Sequence, residues 1–313
     1  MSQPEADAFT IKCNQERAIL IRDKAAFNLF RPQDKLFDFP HNPSLFRLRH
    51  GSKNFIVWSL SGGTQNNVLE KGKKPYSFQV KGRPFIKEVQ GRLYVSTGGM
   101  NLHSGGFNFA LYKATPLGLT KIADTLSLLS QGTGSYYQRS DGYVVALGGR
   151  SLKKKGQPLA ANDKWIFVRS QDAAKPFAYQ QLKTGAIVYS SDQISWPSVF
   201  TYGALIWRIG KKDNVRRIMF FNGTESTVEI PSRNMRVDFA MAAHNSLYVI
   251  LIDTSGSKPR YQFYEVKSVG QKLKVTTIPL SFNPFLTSEI VIGESHAYII
   301  DDTRTLRKVA LPK

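Results

Sequence analysis

The sequence predicts an all-β chain: a six-bladed β-propeller of four-stranded antiparallel blades, with the ring closed by an N-terminal strand completing the C-terminal blade. Three observations carry this. First, six short apolar segments each follow a tight polar turn: GSKNFIVWSLSGG from Gly51, GRLYVSTGG from Gly91, DGYVVALGG from Asp141, YGALIWRIG from Tyr202, HNSLYVILID from His244 and ESHAYIID from Glu294. Second, these segments recur about every 48 residues, within the range of propeller repeats. Third, helical periodicity is nearly absent, with LTKIADTLSLLSQ from Leu119 the one stretch with room for a short turn.

Each apolar segment reads as the second strand of a blade. Third strands follow as NNVLEK from Asn66, NFALYKA from Asn108, WIFVRS from Trp165, RIMFFN from Arg217, QFYEVK from Gln262 and LRKVAL from Leu306. Outer strands are YSFQV from Tyr76, LTKIAD from Leu119, AYQQL from Ala178, STVEI from Ser226 and KVTTI from Lys274. The last repeat lacks an outer strand, whereas AILIR from Ala18 precedes the first blade with no blade of its own. Pairing the two satisfies an exposed sheet edge and ties both termini together. The expected organisation is a mobile N-terminal arm over residues 1–16 and one propeller domain over residues 17–313. A chain of 313 residues, 42% hydrophobic, has the material for such a core.

Glycine doublets at Gly62-Gly63, Gly98-Gly99 and Gly148-Gly149 follow three of the strands, which is similar to kelch repeats. The stretch SQDAAKPF carries Ser170, Asp172 and Phe177 at the Ser, Asp and aromatic positions of the pattern Ser-x-Asp-x-Gly-x-Thr-Trp, with the expected place between a third and a fourth strand. There the Asp holds turn amides and the aromatic packs between strands. A shorter likeness, SSDQISW from Ser190, is set aside as chance. The chain thus resembles the sialidase-like, Asp-box propellers over most of its length.

That resemblance implies glycoside hydrolysis by three arginines, an acid/base carboxyl and a tyrosine assisted by a glutamate. Arg47 in LFRLRHG stands where the first arginine belongs, and Arg233 and Arg236 in PSRNMRVDF enter an inner strand. Arg233 and Arg236 offer one further member between them, so a convincing third is missing, as are an Asp in VKGRPFIKE and a tyrosine in FNPFLTSEIVIG. The expectation is therefore a noncatalytic relative with no catalytic residue to assign; any enzyme would be a sialidase-like hydrolase. His41, His50, His103, His244 and His296 show no metal-ligand spacing, and there is no nucleophile elbow or phosphate-binding loop, so neither metal nor cofactor is expected.

A formal net charge of +20 favours an anionic partner. In a propeller, the loops between second and third strands share a face with the inter-blade connections, and that face is the candidate interface. It gathers Lys81 and Arg83, then Arg150, Lys153, Lys154 and Lys155, then Lys211 and Lys212, and Arg233 and Arg236, with Trp196 and Arg47 beside them. Cations stand on the opposite face too, including Lys71, Lys73, Lys74, Lys267 and Lys272. The expected role is an interaction or assembly module for an acidic protein, nucleic acid or glycan. The alternatives are a sialidase-like glycan binder and a structural component of a nucleoprotein or virion assembly. The sole cysteine, Cys13, excludes an intrachain disulfide, and no secretory leader or apolar span is evident, so a soluble intracellular or virion-associated protein is expected.

Overall fold

The computed structural model describes residues 10–14, 17–22, 24–39, 46–51, 54–60, 64–80, 84–89, 91–101, 106–129, 136–139, 143–146, 151–153, 157–162, 164–170, 172–191, 198–202, 204–212, 215–231, 235–270, 272–285, 290–303 and 305–312. Strands and turns make up these residues, with no helix among them. The first sheet holds β1 (Thr10–Asn14), β2 (Arg17–Arg22), β3 (Ala25–Asn28) and β4 (Arg31–Asp38). The second holds β5 (Phe46–Gly51), β6 (Phe55–Leu60), β7 (Gln65–Glu70) and β8 (Tyr76–Gln79). Next come β9 (Phe85–Val89), β10 (Arg92–Asn101), β11 (Gly106–Thr115) and β12 (Gly118–Leu129), whose order is continued by β13 (Tyr136–Arg139), β14 (Tyr143–Ala146) and β15 (Ser151–Lys153).

Three four-stranded sheets follow: β16 (Gln157–Ala161) with β17 (Trp165–Arg169), β18 (Phe177–Gln181) and β19 (Ile187–Tyr189); β20 (Ser198–Tyr202) with β21 (Leu205–Lys212), β22 (Val215–Phe221) and β23 (Glu225–Pro231); and β24 (Met235–Ala243) with β25 (Ser246–Asp253), β26 (Arg260–Val269) and β27 (Lys272–Ile278). A three-stranded sheet of β28 (Val291–Ile292), β29 (His296–Ile300) and β30 (Leu306–Ala310) ends the chain. Sequence neighbours pair antiparallel, as short polar turns dictate. At one such turn His244 and Asn245, with φ of 48° and 63°, supply the left-handed pair a two-residue hairpin needs. Strands β1–β4, β5–β8, β9–β12, β16–β19, β20–β23 and β24–β27 make six four-stranded antiparallel blades, the fold class the sequence predicts, with β13–β15 and β28–β30 as further three-strand sets.

The chain divides into two compact units. One comprises residues 1–126 and 284–309, the other residues 127–283 and 310–313. In the first unit, Leu29 packs with Val291 and Ile300; Ala26 and Phe39 pack with Ile56 and Trp58; and Phe55, Val57 and Val68 pack with Ile86, Leu93 and Val95. The C-terminal sheet, the N-terminal sheet and the next two sheets therefore lie face against face in that order. In the second unit, Phe167, Phe177 and Tyr179 meet Val199, Ile206 and Phe221, and Trp207, Ile209 and Ile218 meet Leu247, Val249 and Leu251. Alternation along each strand sends one side-chain set to each neighbour, which is how stacked blades bury both faces.

Several expectations are corrected. AILIR does not complete the last blade: it lies in β2, between β1 and β3, in a sheet of its own, and β30 ends its order without it. The β3 and β4 sequences, AAFN and RPQDKLFD, lack the β-branched run that marks the other strands, but Ala26 and Leu29 are fully or nearly fully buried. Residues 10–14, placed in the expected arm, pair with β2. WIFVR and AYQQL are second and third strands, because Gln157–Ala161 supplies the first; its buried Ala160 and Ala161 pack without β-branched bulk. Leu119–Leu129, where a helical turn had room, is continuous strand. NNVLEK is the third strand of its blade, as expected.

Candidate functional site

The most densely bonded polar group lies between two sheets of the second unit. Strand β21 reads LIWRIGKK, so alternation sends Trp207 and Ile209 to one face and Ile206 and Arg208 to the other. Arg208 is wholly buried against Phe167 and Tyr179, with its guanidinium carbon 5.0 Å and 5.5 Å from their ring centroids. Its Nη2 donates to Glu225 Oε1 and, at 2.8 Å, to Ser190 Oγ. Glu225 also accepts from Tyr179 Oη at 2.9 Å, Ser191 N at 2.9 Å, Ser191 Oγ at 2.7 Å and Ser190 Oγ at 2.9 Å.

Burial pushes the Glu225 carboxyl up, but Arg208 and the serine donors outweigh it and hold the group below its ordinary range. Burial drives the Tyr179 phenol well above its usual value. Tyr179 is therefore protonated and Glu225 ionised at neutral pH, with the phenol ring stacked on Phe221. Closed among aromatic rings, the pair acts as a clasp between sheets. Ser190 and Ser191 belong to the SSDQISW stretch that pattern matching set aside. The overlooked signal was Arg208 itself, a charge inside an apolar strand that requires a buried partner.

Two other carboxylates serve similarly. Glu265 is buried and accepts from Ser246 Oγ at 2.8 Å and Tyr248 Oη at 3.0 Å. Buried Asp301 accepts from Thr303 N, Thr303 Oγ1, Thr305 N and Arg307 Nε at 2.6–3.0 Å. Among the described residues, no cluster of His, Cys, Asp and Glu suits a metal ion, and no helix is long and apolar enough to cross a membrane.

The cationic positions converge at one end of the β20–β23 and β24–β27 sheets. Arg216 Nη2 donates to the carbonyl of Met235 at 2.8 Å, fastening the β21–β22 hairpin to the start of β24. Lys211 stands opposite Arg216 in register, with Lys212 next along the strand. Arg236 is exposed one residue beyond Met235, and register places Met235 beside Asp253 and Asp253 beside Arg260. Asp253 is occupied by Ser255 N and Oγ, at 2.9 Å and 2.6 Å. Burial lowers the Arg216 pKa, and Arg217 meets Glu229 at 3.1 Å.

Arg47 lies in β5, in the first unit, and Lys153 lies in β15. Lys81, Arg83, Arg150, Lys154, Lys155, Trp196 and Arg233 fall outside the described residues. In the SQDAAKPF turn, Asp172 Oδ1 accepts from Ala174 N at 2.9 Å, Ser170 Oγ accepts from Asp172 N at 3.1 Å, and Ser170 N donates to Pro176 O at 2.8 Å. Phe177 is buried, with its ring 5.5 Å from that of Phe167. The turn joins β17 to β18, second strand to third, and not third to fourth, because β16 shifts the strand count by one. It therefore shares the hairpin type of the cationic loops.

No family model and no curated protein matches the sequence. Solved structures do resemble it. Virginiamycin B lyase from Staphylococcus aureus has 13% identity over 98% of this chain and 96% of that one, at a TM-score of 0.48. The dihydro-heme d1 dehydrogenase NirN has 10% identity over 100% of this chain and 75% of that one, at 0.51. Kluyveromyces lactis Hsv2 has 10% identity over 86% and 98%, at 0.50. Neither NirN nor Hsv2 is a sialidase, and what these two share with this chain is architecture. At such identities the likeness shows the fold alone. The chain has the β-propeller fold.

Proposed function

We propose that the chain is a propeller interaction module that engages an anionic partner through the cation-bearing hairpin ends of its blades. The observation that carries the reading is the Arg216 to Met235 bond, which gathers Lys211, Lys212, Arg216, Arg236 and Arg260 at one end of two neighbouring sheets. Asp253 lies beside Arg260 and Asp238 interacts with Arg236, while Glu229 is paired with Arg217, so the five cations outnumber the described acids beside them. A surface with that balance raises the local concentration of anions and steers their approach. The Ser170–Asp172 turn joins second strand to third and its carboxylate is occupied by its own hairpin, so it lends no support to glycan chemistry.

The test replaces Lys211, Lys212 and Arg236 with Glu and measures binding to heparin, a single-stranded oligonucleotide and polyglutamate across a salt series. The expected outcome is weaker binding, with the salt dependence on the preferred polymer falling by about one unit of log–log slope per cation removed. Unchanged affinity and slope for all three polymers would overturn the reading.

A further inference from the structure

The hairpin of β26 and β27 shows the opposite use of charge from the clasp. Register sets Lys267 directly opposite Lys274 and Val269 opposite Lys272. Directly paired positions share a face, so three lysines and Val269 stand together on one side of the hairpin. All four are exposed, Val269 by 57%, and no ion pair engages the lysines among the described residues. Glu265, on the same face two residues before Lys267, is turned to Ser246 and Tyr248. Like charges directly opposite on paired strands weaken a sheet, so this arrangement sets local stability against something else.

Strand β27 ends the order of its sheet, and no backbone hydrogen bond from outside the sheet reaches it among the described residues. Three other outer strands differ. Strand β8 has four residues and β19 three, both without charge; in β23, which ends in Pro231, Glu225 and Glu229 are paired with Arg208 and Arg217. Seven residues long, β27 presents Lys272 and Lys274 at alternate positions. Lysine on an edge ordinarily wards off other strands. Here the same lysines exclude basic strands while matching one that carries acids at every second residue.

We infer that β27 is a docking edge for an extended acidic segment of a partner protein, which adds as a fifth strand. Its backbone pairs with the free edge, and its alternate carboxylates meet Lys272 and Lys274, with Lys267 behind. Among the described residues no exposed ring accompanies these lysines, so they offer a nucleic acid no surface on which to stack a base. This surface uses none of the residues gathered by Arg216, and the two stand or fall separately.

The experiment is fluorescence anisotropy with a labelled peptide of about ten residues alternating Glu and Val, the length a single added strand needs. The comparison ligands are the same peptide N-methylated at alternate amides, a Lys-Val peptide and an oligothymidylate. The acidic peptide should bind, and the Lys272→Glu, Lys274→Glu protein should bind it about tenfold more weakly. Lys272→Arg, Lys274→Arg should retain binding, and N-methylation should abolish it. The Lys211, Lys212 and Arg236 variant should bind the peptide like the parent.

Equal binding of the N-methylated peptide would overturn strand addition, and equal binding by the Glu variant would overturn the edge as the site. Oligothymidylate binding that depends on these lysines, with none for the peptide, would replace the protein partner with a nucleic acid. If the Glu variant does not fold, Lys272→Gln, Lys274→Gln and the N-methyl comparison on the parent protein decide the matter.

Discussion

The clasp between the β16–β19 and β20–β23 sheets and the outer hairpin of the β24–β27 sheet treat charge in opposite ways. In the first, Arg208 is wholly buried and joined to Glu225, which takes further donors from Tyr179, Ser190 and Ser191. In the second, Lys267 and Lys274 stand exposed and opposite each other, with no ion pair to either among the described residues. A buried charge without a counter-charge would cost several kcal/mol, so burial forces pairing. Exposure removes that demand, and the opposed lysines are tolerated at a small cost. Paired charge here reports on how sheets are held together, and unpaired charge on what the surface can attract.

The sharpest way to break this contrast is to remove the clasp's anion. Glu225→Gln leaves the Arg208 guanidinium buried without its counter-charge and should cost about 3–5 kcal/mol in urea unfolding. The Glu225 carboxyl is held below its unfolded value, so its contribution is fully present above about pH 4.3. It is lost as pH falls through the lower, folded value, and the gap between parent and variant should narrow there. A gap that widens on acidification would contradict the ionised pair.

Asp301 is an intermediate case, its buried carboxylate meeting a half-exposed Arg307. Asp301→Ala strips acceptors from Thr303 N, Thr305 N and Arg307 and should cost about 2 kcal/mol by the same measurement, less than loss of the clasp. The smallest effect belongs to the hairpin. Lys274→Thr removes the like-charge opposition and should stabilise by about 0.3 kcal/mol, a gain seen as a higher melting temperature at low salt that fades at high salt. A loss of stability would mean that the lysines are held by an unseen favourable contact.

How much of this was readable in the sequence follows from what each strand buries. FIVWSL, LIWRIG and SLYVILID announce themselves because both faces are packed and the residues are β-branched or aromatic. The N-terminal sheet was hidden because β3 packs through alanines and β4 carries Pro32, Gln33 and Asp34. For the site, loop alternation offers Lys211, Lys212 and Arg236 as neighbours, since second-to-third hairpins and connections between blades share an end, and register sets their backbone positions at one end of their sheets. The clasp was not. Tyr179, Ser190, Arg208 and Glu225 come from two sheets, and only the stacking of those sheets brings them into one hydrogen-bonded set.

The placement of the first sheet beside the last bears on the timing of synthesis. Leu29 and Phe27 find their partners in Phe285, Val291 and Ile300, across nearly the whole chain. Until the ribosome has delivered those final strands, this apolar face of the N-terminal sheet has no native cover. Contacts of such separation form late, and an uncovered sheet face is a target for chaperones or for association with another nascent chain. The β1–β4 and β28–β30 sheets therefore mature together, the earlier of the two waiting on the later.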